Sequence, residues 1–301
     1  MLALLSVTAC VGQAAETEAL RRGDEAWARG DAEAAVAEYR LALRASDDPG
    51  TLVRVAHAYA ELGRVDEARD FYRRVVEADS RFHDQAVSDL ILLARRADEV
   101  GDRYGLAGAL ELALELEPGI GVGSLALPLA RYYSDNGEFE RALPFFQRAV
   151  VDMSESDAGT VYYDIGLAYE ELGECSRAIS FFDQSRAGAS RNRRSEVDWH
   201  LGNCSFQMGQ TMRREGRDDE ALRYLNRTAS LGEPRNLLPQ VHFERGEVLA
   251  SRGECTAAVE AFRQAIVESG SGGGPLVPRA EQRIDEIRFG RPSGAPAGGR
   301  C

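Results

Sequence analysis

The sequence predicts an all-α protein built from helical hairpins that follow one another along the chain. Apolar residues recur at i, i+3 or i+4, as on the buried side of an amphipathic helix, for example at Val161, Ile165 and Ala168. Glycines that end such stripes recur at intervals of 33 to 43 residues. A period of this length is typical of repeat proteins, in which each unit buries its apolar face on its neighbours.

The segment 160–187 shows the pattern most clearly. Its first apolar stripe ends before Gly173, and a second begins at Ala178 and continues to Phe182. A glycine readily adopts the positive φ that often ends a helix, so Gly173 is predicted to form the turn between two antiparallel helices. Gly166 and Ala178 are small where the helices would cross, and Phe182 fills the space beside them.

The same pattern occurs seven times. A turn glycine follows a small residue by seven positions, and a second small residue and a large apolar residue come five and nine positions after the glycine. Only the third copy departs from this, because it has Leu106 where the others have alanine, so its hairpin is predicted to be slightly splayed. The predicted turn glycines are Gly30, Gly63, Gly101, Gly137, Gly173, Gly216 and Gly253. The preceding small residues are Gly23, Ala56, Ala94, Ala130, Gly166, Gly209 and Gly246. The large residues are Tyr39, Tyr72, Leu110, Phe146, Phe182, Leu225 and Phe262.

This order of small residue, glycine, alanine and large residue resembles the tetratricopeptide repeat, whose unit has about 34 residues. The resemblance covers residues 17–269. It implies a right-handed superhelix, or solenoid, of about seven hairpins, whose concave face is lined by the first helix of each hairpin. It also implies an interaction scaffold, because such concave surfaces bind extended partners.

The elements are predicted in order as hairpins over residues 17–45, 51–78, 85–117, 123–153 and 160–187, a sixth from residue 196, and a seventh over 237–269. Pro144 is predicted to kink the second helix of the fourth hairpin without interrupting it. The sixth hairpin offers two small residues, Gly202 and Gly209, of which only Gly209 matches the turn at Gly216. Seven additional residues make close to two helical turns, so we expect a longer first helix there.

The C-terminal part of the chain departs from the repeat. Residues 270–277 contain a run of glycines and are predicted to be a flexible joint. Residues 278–289 are predicted to form a capping helix whose arginines and glutamates face water. Residues 290–301 are rich in glycine and proline and are predicted to be a disordered tail.

The first residues are typical of a lipoprotein signal. Residues 1–9 are apolar and end in small residues before Cys10, and the four residues 7–10 match the lipobox of bacterial lipoproteins. The resemblance implies removal of residues 1–9 and lipid attachment to Cys10, with residues 10–16 as a linker. No Arg or Lys precedes the apolar run, which departs from an ordinary signal peptide. The alternative is a disordered apolar N-terminus with a free thiol.

Export would allow the other cysteines to be oxidised. In a solenoid of the kind that the resemblance implies, the start of one second helix lies beside the end of the next first helix. Cys175 and Cys204 occupy such positions, so we predict a disulfide between them. Cys255 could reach Cys301 only if the C-terminal tail folds back.

Composition and motifs favour binding over catalysis. The formal net charge is −13 and every basic side chain is arginine, without a basic block, which argues against nucleic acid as a partner. The histidines are scattered, and no phosphate-loop, GxSxG or HExxH pattern occurs, so no catalytic residue, cofactor or metal is predicted. His200 and Cys204 stand four residues apart on one helix, but two or three ligands are a weak metal signal.

The family's ligand-facing positions, carried onto this chain, predict a partner groove. Its residues are Arg95, Arg131, Tyr163, Trp199, Phe206 and Phe243. Such a groove suits an extended peptide or a helix that carries a carboxylate. The alternative is that the arginines pair with nearby carboxylates and the aromatic residues pack between repeats.

These observations together predict a non-enzymatic protein-interaction scaffold. We expect an exported lipoprotein, anchored to a bacterial membrane through its lipid and facing the periplasm. It is similar to the tetratricopeptide lipoproteins that assist assembly of outer-membrane proteins or pilus secretins, although that likeness is one of fold. Two alternatives stay open, namely a cytoplasmic adaptor, and a binder of a small anionic ligand or regulatory partner of an enzyme.

Overall fold

The fold is described here from a computed structural model, which covers residues 4–270, 274–290 and Cys301, without the side chains of residues 4–13, 152, 155 and 156. These residues contain fifteen α-helices, joined by turns and short 3-10 segments, and none of them is in a strand. The predicted all-α repeat architecture is therefore confirmed. The chain divides into two compact units, residues 1–145 and 146–301.

The first unit contains seven complete helices and the beginning of an eighth. Their bounds are α1 Leu4–Ala28, α2 Ala32–Ala42, α3 Pro49–Glu61, α4 Val65–Ala78, α5 His83–Glu99, α6 Arg103–Leu116, α7 Ala126–Asp135 and α8 Phe139–Ala149. Helices α1 and α2, α3 and α4, and α5 and α6 pack as hairpins. Successive hairpins pack through α2 against α3 and through α4 against α5 and α6. Helix α8 continues through Pro144, as predicted.

The second unit repeats this arrangement. Its helices are α9 Glu155–Glu171, α10 Cys175–Gly188, α11 Arg191–Arg214, α12 Asp218–Leu231, α13 Leu238–Arg252, α14 Cys255–Glu268 and α15 Leu276–Phe289. Helices α9 to α14 form three hairpins, and α15 packs against α14 and α13. Helix α11 has 24 residues, against 17 for α9 and 15 for α13, so the first helix of the sixth hairpin is long, as predicted.

All seven predicted turn glycines have the left-handed conformation, with φ between 68° and 81°. In the described residues no other residue type has positive φ. An added Cβ at any of these seven positions would have open space around it, so glycine is required there by the backbone conformation and not by packing. The left-handed residue ends the first helix and reverses the chain into the second.

The small residues of the repeat lie where the large residue of the same hairpin packs. A Cβ on Gly166 would be 2.6 Å from the Phe182 ring, and one on Gly23 would be 2.5 Å from the Tyr39 ring. In the sixth hairpin the same contact joins Gly209 to Leu225, which confirms Gly209 as the matching register. These rings and side chains are buried and form the centre of each hairpin.

Gly202, the other small residue of α11, makes a different close contact. A Cβ there would overlap the carbonyl oxygen of Glu233 and lie 2.8 Å from its carbonyl carbon. The carbonyl oxygen of Gly202 also accepts a hydrogen bond from the Thr228 hydroxyl, at 3.1 Å and buried. The extended part of α11 is thus held against α12 and the loop that follows it.

The ends of the chain differ from the sequence-based expectation. Residues 10–16 were expected to be a linker, but α1 begins at Leu4 and includes them, because this stretch has no proline and ends in the helix-favouring run Gln13, Ala14, Ala15 and Glu16. Residues 1–3 lie outside the described part of the chain, as does the side chain of Cys10. Within the described residues, none of the helices is both long and apolar enough to traverse a membrane.

At the other end, α15 begins at Leu276, so the joint predicted for residues 270–277 is shorter than expected. Residues 271–273 and 291–300 are outside the described residues, and with them most of the predicted tail. Cys301 is described, and it contacts the apolar core formed by α13, α14 and α15.

Two pairs of cysteines are bonded in the second unit. Cys175 and Cys204 form a disulfide with a Cα–Cα distance of 5.0 Å, which is the pairing that the sequence predicted. It joins the start of α10 to the middle of α11. Cys255 and Cys301 form the second disulfide, with a Cα–Cα distance of 5.6 Å.

The contact at Gly202 gives a testable prediction about stability. We expect Gly202→Ala to destabilise the protein by about 2–3 kcal/mol, because the new methyl group meets main-chain atoms that cannot rotate away. The matched control is Gly188→Ala in α10, where an added Cβ meets no atom within 4 Å and stability should hold or rise slightly. Urea unfolding followed by circular dichroism measures both. Equal midpoints for the two variants would contradict the prediction.

The disulfides give a second prediction. Cys175 and Cys204 are 29 residues apart, so their bond lowers the entropy of the unfolded chain by an amount worth about 3.6 kcal/mol. We expect the double variant Cys175→Ala, Cys204→Ala to unfold at lower urea concentration than the wild type under oxidising conditions, and the difference to diminish after reduction with dithiothreitol. Peptide mapping by mass spectrometry without reduction checks the pairing. Linkage of Cys175 to Cys255 or Cys301 would show it to be wrong.

Candidate binding surface

A small cleft opens between first helices of the first unit. It has a volume of about 160 Å³ and is lined by residues of α1, α3 and α5, with one ring from α4. Trp27 and Ala60 line it from the same repeat position, three residues before the turn glycines of their hairpins. Because the repeat places equivalent residues side by side, successive first helices contribute to one surface.

The floor of this cleft is polar and internally paired. The Nε2–H of His57 donates to Asp89 Oδ2 at 2.6 Å, since an ionised carboxylate can only accept. Burial raises the pKa of the Tyr72 hydroxyl, and the charge of Asp89 and its hydrogen bond to that hydroxyl raise the pKa further. Tyr72 therefore stays protonated at neutral pH and can donate to Asp89.

The rim of the cleft is apolar and exposed. The Trp27 side chain is 40% exposed and Leu92 is 50% exposed, while Leu93 below them is buried. Arg96 on the same rim pairs with Glu61 at 2.5 Å, and both side chains are about half exposed. Large apolar side chains beside an ion pair can take the apolar side chains of a partner, while the charges orient it.

Two predicted groove residues belong to the first unit. Arg95 follows Ala94 in α5, is exposed, and has no ion pair within the described residues. Arg131 follows Ala130 in α7 and is also exposed. Both side chains are therefore exposed to solvent, and their role in a partner groove stays a prediction.

Three of the four aromatic residues predicted to line the groove are buried instead. Phe206 and Phe243 are each 6% exposed and belong to the apolar cores of the second unit. Tyr163 is 7% exposed, packs edge-on against His200, and donates its hydroxyl to Glu196 at 2.9 Å. These three residues fill space between neighbouring helices, so the packing alternative is correct for them.

Trp199 is the aromatic residue of the predicted groove that reaches solvent. It is 43% exposed and stands edge-on to His200, with ring centroids 4.9 Å apart. His200 Nδ1 contacts Glu170 Oε2 at 2.6 Å, and Asn203 donates to the other oxygen of Glu170 at 2.7 Å. Trp199 thus rests on a polar network that joins α9 to α11.

The two residues considered for metal binding, His200 and Cys204, both have other partners. The His200 ring is held by Glu170, and the Cys204 sulfur is bonded to Cys175. In the part of the chain that the structure describes, no group of three or more histidine, cysteine or acidic residues is placed to hold a metal ion.

Sequence reasoning missed Trp27, His57 and Leu92 as surface residues. A signal for Trp27 was present, because the first hairpin carries this large residue where the second carries Ala60, next to the turn. Leu92 is also identifiable, because it adds an apolar residue to a helix that already buries Leu90 and Leu93. The pairing of His57 with Asp89 joins residues 32 apart and could not be predicted from spacing.

Comparison with known proteins agrees with this architecture. The sequence profile of the tetratricopeptide repeat family matches residues 20–81, 127–192 and 206–273, which together make up more than half of the chain. Among curated proteins, none matches the chain in sequence.

Solved structures with similar chains include three of particular interest. A crystal structure of MamA is 20% identical, with 58% of this chain and 91% of that chain covered and a TM-score of 0.35. The yeast Sti1 TPR2AB domain in complex with pHSP90 is 12% identical, with 91% and 98% covered and a TM-score of 0.37. PilF of Pseudomonas aeruginosa is 14% identical, with 90% and 98% covered and a TM-score of 0.32.

The TM-scores of these structures are low, so the family assignment rests on the sequence profile together with the six packed hairpins and the seven left-handed turn glycines. The chain belongs to the tetratricopeptide repeat family.

Proposed function

We propose that this protein is a non-catalytic scaffold that binds other proteins, anchored by a lipid on Cys10 and facing the periplasm, where it assists assembly of envelope complexes. The observation that carries the proposal is the cleft of the first unit. There Trp27 and Leu92 are half exposed above polar groups that already have partners.

The cleft is suited to an extended segment with apolar side chains. Burying the exposed parts of Trp27 and Leu92 under a partner removes apolar surface from water, at about 25 cal/mol per Å². His57 and Tyr72 both hydrogen-bond to Asp89, so a partner that covers the floor leaves this carboxylate with its hydrogen bonds satisfied. Arg95, exposed and unpaired within the described residues, would add attraction to an acidic residue of the partner.

The contacts of the histidines are consistent with a non-catalytic role. A histidine held by a carboxylate acts as a general base when its other ring nitrogen faces a nucleophile or a substrate. His57 and His200 each contact a carboxylate at 2.6 Å and thereby join two helices. Among the described histidines, His83 contacts the Leu116 carbonyl oxygen and His242 contacts Arg245. None is set beside a nucleophilic hydroxyl or thiol in the manner of a catalytic pair.

The proposed location rests on cysteine use and on the N-terminal segment. The four cysteines after Cys10 are all paired in disulfides, which persist in oxidising compartments such as the bacterial periplasm. The lipobox at residues 7–10 would place acyl chains on Cys10, and two or more chains are enough for stable anchoring. An oxidised, lipid-anchored solenoid would hold its partners close to the membrane surface.

The cleft is tested by capture of partners from a bacterial envelope extract on the purified chain, quantified by mass spectrometry. We expect Trp27→Ala to reduce capture of the main partner about tenfold or more, and Leu92→Ser to reduce it less, because truncating an exposed aromatic anchor costs at least 1–2 kcal/mol. The control is Val100→Ser, which alters an apolar residue 80% exposed and outside the cleft. If all three variants capture the partner like the wild type, the cleft is not the binding surface.

The anchor is tested by expression in a bacterium with labelled palmitate. We expect the wild type to incorporate the label, to be processed before Cys10 in a globomycin-sensitive manner, and to sediment with membranes. Cys10→Ser should lose label and membrane association, and Cys255→Ser should keep both, because Cys255 is bonded within the fold. An unlabelled wild-type chain in the soluble fraction would refute the lipid anchor and favour the cytoplasmic alternative.

A further inference from the structure

A second cleft lies in the second unit, between α12 and α14, with α13 as its floor. It has a volume of about 570 Å³, which is in the range of sites for small ligands and peptide ends. Leu222 of α12, Leu249 of α13 and Ala261 of α14 form apolar walls. The floor between these walls is formed by His242 and Arg245.

Arg245, at the floor of this cleft, differs from the residues at the equivalent position of most other hairpins. Arg245 stands eight residues before the turn glycine of its hairpin, and five of the other six hairpins have an apolar residue at that position. These residues are Val55, Leu93, Leu129, Ile165 and Met208. The first four are at most 3% exposed. The other exception, Arg22, pairs with Glu38 at 2.8 Å, so the seventh hairpin alone places an unpaired arginine there.

Arg245 has no carboxylate partner. Its Nη1 lies 2.9 Å from Nδ1 of His242, and its Nε is buried without a hydrogen-bond partner. No ion pair to Arg245 occurs within the described residues. Burial lowers the pKa of the guanidinium, which reflects the cost of keeping this charge away from water. The positive charge is therefore uncompensated in a partly apolar cleft.

His242 reinforces this arrangement. It is 8% exposed, and it accepts a hydrogen bond from Arg245 through Nδ1, which requires a neutral ring with its proton on Nε2. Burial lowers the pKa of His242, and the charge of Arg245 lowers it further, so the neutral form is favoured. A neutral histidine orients the guanidinium without neutralising it.

The acidic residues at the rim of the cleft have other partners. Glu254 pairs with Arg252 at 2.6 Å, and Glu260 lies 3.6 Å from Arg263. Both glutamates are exposed, so water screens their charges more than it screens Arg245. Glu268 of α14 is also exposed; its charge acts on His242 and raises the pKa of that ring, but no carboxylate among the described residues pairs with Arg245.

We propose that this cleft binds a carboxylate group carried next to a small apolar side chain, with Arg245 as the main ligand and His242 as the residue that positions it. A carboxylate supplies the missing counter-charge and accepts from a planar guanidinium in its preferred geometry. The walls formed by Leu222, Leu249 and Ala261 would contact the apolar group. Such a group occurs at the C-terminus of a peptide and in a free organic acid.

The test uses the full oxidised chain and isothermal titration calorimetry with N-acetyl-leucine. N-acetyl-leucinamide, which differs only in lacking the carboxylate, is the matched control ligand. We expect the acid to bind at least about tenfold more tightly than the amide, because it gains a charge-assisted hydrogen bond in a shielded site. A longer peptide that ends in the same leucine distinguishes the sources, since tighter binding of the peptide indicates a peptide end and tighter binding of N-acetyl-leucine indicates a free acid.

Variants separate a binding role from a structural one. Arg245→Leu restores the residue type of the other hairpins, so we expect it to keep or raise the thermal midpoint while it abolishes the preference for the acid. Arg245→Lys should keep a weakened preference, and Arg288→Ala, which alters an exposed arginine of α15 outside the cleft, should bind like the wild type. Equal affinity for acid and amide in the wild type, or an unchanged preference in Arg245→Leu, would overturn the proposal.

Discussion

The fold depends on the close approach of two antiparallel helices around a small residue, next to a left-handed glycine that reverses the chain. Gly23, Gly166 and Gly246 each lie against the ring of the residue sixteen positions later in the same hairpin. The turn glycines let this contact form, because φ near 75° brings the second helix back at once. Each hairpin thereby buries one face locally, and the opposite faces are buried by the neighbouring hairpins in the same unit.

The difference between packing within a hairpin and packing between hairpins explains where functional residues occur. Positions that pack within a hairpin are fixed by shape, so they admit little beyond alanine, glycine and a large apolar residue. Positions between hairpins are less constrained, and here they carry the polar groups that join one hairpin to the next. The pairs His57 with Asp89 and His200 with Glu170 both join successive first helices. Arg245 also stands between hairpins, but it lacks the carboxylate that the two histidines have.

The sequence alone was sufficient for the parts of the fold that depend on backbone conformation. The turn glycines, the long helix α11 and its Gly209 register follow from spacing, because glycine and helical periodicity act locally. The sequence was less informative about which side of a first helix faces solvent. Tyr163, Phe206 and Phe243 stand at positions that suit a groove or an interior equally well, and only the neighbouring helices decide that they are buried. The helical state of residues 10–16 was missed because a linker was assumed from the proposed cleavage site, not from helix propensity.

The second disulfide changes the covalent connectivity of the chain. Cys255 lies at the beginning of α14 and Cys301 follows α15 in the sequence, so their bond encloses both helices and the segments between the two cysteines in one covalent ring. A single cleavage of the backbone by a protease anywhere inside that ring opens the ring but releases no peptide. The clipped molecule would have the mass of the intact one plus a water, and it would separate into two pieces only when a reductant breaks the sulfur bridge.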